Sequence, residues 1–207
     1  MATVLQPPPT IKFPRTDAQL HVKAPDPGAL STGIWVGLAA ITMTFAAFTS
    51  AMVVRQGSAN DWRHFSFPII LYFNAAVLIS SSLVLQIARR RFAQVASRTN
   101  PNTNSTLLAL YGTLILGVTF VLGQYAAWQQ LRSEGVYLAT TPSSSFFYVF
   151  TVLHALHVIA GLAGLLYVIR KLHRFDLGRG TLDAASRYWH FMDVLWLYLL
   201  LVLRWKI

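Results

Sequence analysis

Six polar side chains stand inside stretches otherwise apolar enough to be buried in lipid: Asn74, Gln124, His154, His157, His190 and Asp193. Asp193 is the only acidic residue in any of those stretches. An ionisable group at membrane depth is costly, so it pairs inside a bundle or serves a pathway. Imidazoles and a carboxylate suggest three chemistries: heme ligation, non-heme metal binding and proton relay. Bis-histidine heme ligation needs two histidines at one depth on facing helices. His154 and His157 are spaced i,i+3 and share one helix face, as do His190 and Asp193. Such a pair cannot reach both faces of a heme, and His157 and His190 differ in depth by about 10 Å. A non-heme metal wants more carboxylates than this chain places there. One aspartate with two histidines is a thin proton relay. The pattern favours hydrogen-bonded packing between helices.

The elements that carry these residues are membrane spans. With 55% hydrophobic and 12% charged residues, and a mean hydropathy of +0.49, the chain reads as an integral membrane protein. Five apolar segments are long enough to cross a bilayer as helices. They lie at about 30–54, 67–88, 106–130, 145–169 and 185–203. The expected fold is an all-α bundle of five transmembrane helices over 30–207, with short connections and antiparallel neighbours. Residues 1–29, with Pro7-Pro8-Pro9 and scattered charge, are expected to form a solvated arm rather than a signal peptide. Cysteine is absent, which excludes disulfides and thiolate metal sites in these residues.

A net charge of +10 would suit nucleic acid, but here it follows topology. Twelve basic residues fall in the arm and the second and fourth loops, against five on the other side. The positive-inside rule then puts the N-terminus in the cytoplasm and the C-terminus in the periplasm. Arg89, Arg90 and Arg91, with Trp189 at the same edge, are candidates for lipid headgroup contact.

Depth follows from a rise of about 1.5 Å per residue. Asn74 and Gln124 fall about 9–10 Å below the outer surface and His154 about 13 Å, a possible polar layer. Asp193 falls about 12 Å above the inner surface and His157 about 18 Å, close enough to pair if their helices are neighbours. Gly112, Gly117, Gly161 and Gly164 permit close backbone approach. No phosphate loop, nucleophile elbow or zinc-protease motif is present.

Phe146-Phe147 followed by His154-Ala155-Leu156-His157-Val158-Ile159-Ala160-Gly161 resembles a helix of heme-copper oxidase (cytochrome c oxidase) subunit III in its short, five-helix form. The closing Tyr188-Trp189-His190-Phe191-Met192-Asp193-Val194-Leu195-Trp196 is similar to that family's last-helix signature. Asn74 with Ser80-Ser81-Ser82, and Gly123-Gln124-Tyr125-Ala126-Ala127-Trp128, resemble its second and third short-form helices. The resemblance runs from about Gly33 to the C-terminus.

It implies a non-catalytic subunit of an aerobic respiratory terminal oxidase in a bacterial inner membrane. Heme and copper would belong to the partner, catalytic subunit I. This chain would carry no redox cofactor, would bind phospholipid, and would support proton uptake and protect its neighbour during turnover. The family commonly carries glutamates where this chain has Ile41 and Ala127, which leaves those carboxylates' roles unfilled here. Quinol oxidases and nitric oxide reductase systems have relatives with the same motifs. An autonomous proton-coupled transporter is the reading from a different class. A transporter is expected to show inverted repeats and broken helices, and none is seen in this sequence.

Overall fold

The computed structural model describes residues 27–58, 60–62, 68–96, 103–174 and 176–206. Lys12, Arg15 and Lys23 of the expected arm lie outside the described residues, as do Arg63 and Arg98. Five helices run through the described residues: α1 (Pro27–Ser58), α2 (Ile70–Ala96), α3 (Thr103–Ser133), α4 (Pro142–His173) and α5 (Arg179–Lys206). Each is longer than the apolar segment that announced it.

Local signals set the boundaries. Gly135 closes α3 in the left-handed conformation, with φ 79°. The Gly135 amide bonds to Arg132 O at 3.1 Å and the Val136 amide to Leu131 O at 2.9 Å, a Schellman end. Thr141 then caps α4 reciprocally with Ser144, and Pro142 occupies the first turn, where its missing N–H costs nothing. Tyr148 pins this connection by donating to Val136 O at 2.8 Å.

Helices α2, α3, α4 and α5 close a four-membered ring, and α1 leans on α4 and α5 from outside. Their buried side chains form one core built around Phe120, Phe147, Phe150, Trp189 and Trp196. Four helices contain stretches long and apolar enough to cross a membrane: Ser31–Ser58, Ile70–Gln94, Asn104–Ser133 and Pro142–His173. The fifth, α5, is of spanning length at 28 residues but carries Asp183, Arg187 and His190 in its first half and Asp193 at its middle. Its backbone packs against α1, α2 and α4, so much of that polarity faces protein. The far end of α5 is tied back to the α1–α2 connection, where Trp62 Nε1 donates to Lys206 O at 2.8 Å.

Candidate functional site

Ser81, Ser82, Trp189, His190 and Asp193 gather where α5 meets α2. Ser81 and Ser82 are adjacent on α2, and each meets a different residue of α5. Trp189 Nε1 donates to Ser81 Oγ at 2.9 Å, and Ser81 passes its own proton to Leu78 O at 2.7 Å. Ser82 is hydrogen-bonded to His190 Nδ1. The Ser82 hydroxyl also lies near the Asp193 carboxylate, which is 7% exposed. Serine, histidine and aspartate are the residue types of a hydrolytic triad, but the order differs. In a triad the imidazole bridges hydroxyl and carboxylate. Here the carboxylate lies on the hydroxyl's side and not behind the imidazole, so His190 lacks the orienting carboxylate that a triad has. The arrangement locks α2 to α5. Asp193 Oδ1 has no hydrogen-bond partner among the described residues.

Trp189 is the largest correction to the sequence reading. Headgroup contact would need it at the membrane surface, yet it is 1% exposed and packs in the core. It lies ten residues inside α5, about 15 Å from the helix start. Its ring fills space left by two glycines. A Cβ on Gly117 of α3 would lie 2.8 Å from Trp189 Cη2, and one on Gly161 of α4 would lie 3.2 Å from its Cε3. Trp189 therefore joins α2, α3 and α4 to α5. Gly112 meets only Val84, at 3.4 Å, and Gly164 has no neighbour within 4 Å, so these two do not govern packing.

The second correction concerns His157. Its Nδ1–H donates to Leu153 O at 2.7 Å on its own helix, and its ring tilts against Phe45 of α1 at 5.8 Å. Asp193 is turned instead toward Ser82 on α2. Depths about 6 Å apart brought His157 and Asp193 within reach on paper, but helix rotation turns them to different neighbours. Tyr188 takes the α4 contact, donating to the His157 carbonyl at 2.9 Å.

One turn beyond Asp193, Trp196 stacks on His154 with centroids 5.0 Å apart. Phe120 of α3 stands edge-on to both, at 5.8 Å from His154 and 5.2 Å from Trp196. His154 is fully buried, and neither ring nitrogen has a partner among the described residues. Asn74 and Gln124 are buried as well. Asn74 Oδ1 is pressed onto Gly123, where a Cβ would lie only 2.1 Å away. Its Nδ2, and both polar atoms of Gln124, are without partners among the described residues. The roles of Ser82, Phe120, Gly123 and Trp196 were not legible in spacing, because each depends on which helices become neighbours.

At the basic end, Arg89 Nε donates to Asp183 Oδ1 at 2.6 Å, joining α2 to the first turns of α5. Arg91 donates to Ser105 O at 3.2 Å across the α2–α3 connection, and Arg90 is exposed. At the two positions where the family commonly has glutamate, Ile41 packs against the core and Ala127 is fully buried. Trp128, beside Ala127, donates to Thr151 Oγ1 at 3.1 Å. Among the described residues, no group of three His, Cys, Asp or Glu could hold a metal ion. The site is therefore a network of interhelical bonds and ring contacts.

Residues 34–206 match the family model described as "Cytochrome c oxidase subunit III". The chain is 28% identical over 178 residues to the probable cytochrome c oxidase subunit 3 of Nocardia farcinica, covering 83% of this chain and 85% of that protein. It is 33% identical over 140 residues to cytochrome c oxidase subunit 3 of Paracentrotus lividus, covering 66% of this chain and 50% of that protein. With the Papio hamadryas protein of the same name, identity is 35% over 138 residues, covering 64% and 48%. The chain thus spans about half the length of the animal relatives and most of the actinobacterial one.

Proposed function

The chain belongs to the cytochrome c oxidase subunit III family, and on that premise we propose that it is a non-catalytic membrane subunit of an aerobic respiratory terminal oxidase. It packs against catalytic subunit I, which carries the heme and copper, and stabilises that subunit while oxygen is reduced and protons are pumped. The observation that carries this reading is the extent of the family match, which runs from α1 to the end of α5 and includes the polar network. A cytochrome c oxidase is preferred over the quinol and nitric oxide reductase systems because the relatives are so named.

All five helices span a bacterial inner membrane, with the N-terminus cytoplasmic and the C-terminus periplasmic. The charge asymmetry supports this orientation. So does the placement of Arg89, Arg90, Lys171, Arg174 and Arg179 at one end of the bundle. The fifth span is supported by the burial of its polar residues against α2 and α4, which lowers the cost of carrying them into lipid. Asn74, Gln124, His154, His157, His190 and Asp193 serve as internal packing residues.

An oxidase purified from a strain lacking this chain tests the role. We expect an unchanged heme spectrum, reduced complex stability and faster loss of activity during turnover. A complex that assembles, survives and turns over normally without the chain would contradict it.

A further inference from the structure

We propose that the interior of the four-helix ring is a binding site for ordered water, held between Asn74 of α2, Gln124 of α3, His154 of α4 and Trp196 of α5. The inference rests on the packing of the bundle, not on the oxidase reading. Each of the four residues is at most 2% exposed. Between them they bury six polar atoms that have no hydrogen-bond partner among the described residues: Asn74 Nδ2, Gln124 Nε2 and Oε1, His154 Nδ1 and Nε2, and Trp196 Nε1. Buried polar groups in native proteins are satisfied by protein or by ordered water. Here the protein partners are missing for atoms that come from four different helices.

Contacts along α3 place the four in one layer. Asn74 Oδ1 is pressed onto Gly123, the residue before Gln124. Phe120 and Gln124 are spaced i,i+4, share one face of α3 and are both fully buried. Phe120 in turn stands edge-on to His154 and to Trp196, which are stacked on each other at 5.0 Å. The rise from Phe120 to Gln124 is about 6 Å, so the four side chains lie within about one helical turn in depth.

The mixture of donors and acceptors selects water over an ion. The amide nitrogens of Asn74 and Gln124 and the indole of Trp196 donate, Gln124 Oε1 accepts, and a neutral imidazole offers one of each. A cation would leave the amide and indole N–H groups unpaired, and an anion would leave the Gln124 oxygen unpaired. None of the four side chains carries an opposite charge to offset an ion's desolvation. Asp193, three residues before Trp196 on α5, lies instead beside Ser82. Water both donates and accepts. A buried water makes about three hydrogen bonds, so the six atoms call for about two molecules.

Solid-state NMR of the full chain in lipid bilayers, with 15N-labelled tryptophan and magnetisation transferred from water protons, tests the site. The Trp196 indole N–H is expected to receive magnetisation from water, and Trp196→Phe assigns the signal. The Trp189 indole is the internal control: it is equally buried, but its N–H is taken by Ser81, so transfer to it should be far weaker. A second reading comes from stability in mild detergent. Gln124→Met is expected to lower the folded-to-unfolded ratio about tenfold, because the waters lose partners that a thioether does not replace. In a dry layer the same substitution removes an unpaired amide and leaves the ratio unchanged or higher. Either that result or a Trp196 indole as isolated from water as Trp189 would overturn the proposal. The NMR comparison decides on the unsubstituted chain, so it stands even where Gln124→Met fails to fold. None of these outcomes depends on whether an oxidase co-purifies.

Discussion

Asn74 and Gly123 are in direct contact between α2 and α3: the amide oxygen of Asn74 occupies the place a Cβ on residue 123 would take. A polar side chain inside the bundle is thus accommodated by the absence of one opposite. Gly123→Ala is expected to destabilise the protein by about 1–3 kcal/mol through overpacking. Combining it with Asn74→Ala should recover part of that loss, because the clashing atom is gone. Thermal unfolding in mild detergent measures both. A Gly123→Ala variant as stable as the parent would show that the two helices do not approach this closely.

Trp189 distinguishes a core residue from an interfacial one. Removing a buried tryptophan costs about 3–5 kcal/mol, whereas surface substitutions usually stay within about 0.5 kcal/mol. Trp189→Ala should therefore lower the melting temperature severely, while Trp205→Ala, 77% exposed at the other end of α5, should not. Similar small effects at both positions would return Trp189 to the membrane surface.

The Ser82 hydroxyl bonds His190 and lies near Asp193. Ser82→Ala removes the partner of half-buried His190 and a hydroxyl beside buried Asp193, at a cost of about 1–3 kcal/mol. The expected result is weaker retention of this chain in the oxidase, with electron transfer per heme unchanged in complexes that keep it. Asp193→Asn should act in the same direction. Normal retention with lost turnover would mean that the network handles protons, not packing.

Much of this was legible in the sequence because lipid simplifies the problem. Long apolar runs must be helices, and five runs with short connections gave the element order. Motifs around His154, His157, His190 and Asp193 gave the family. Asn74, Gln124, His154 and Asp193 are all buried, while His157 and His190 are half-buried. Depth could be counted in residues, but rotation about the helix axis could not. That is why Asp193 was paired with His157 and not with Ser82. Trp189 was misjudged for a related reason. The charge in the first turns of α5 made the span seem to begin near residue 185, while the helix begins at Arg179. Asp183 is neutralised by Arg89 and so can belong to the same helix.

The most direct test of the central claim is purification of the membrane complex through a tag on this chain, in a gentle detergent, read by optical spectrum and mass spectrometry. The account predicts co-elution of a large heme- and copper-bearing subunit in constant proportion to this chain. A heme-free chain eluting alone, under conditions that keep other respiratory complexes intact, would contradict it.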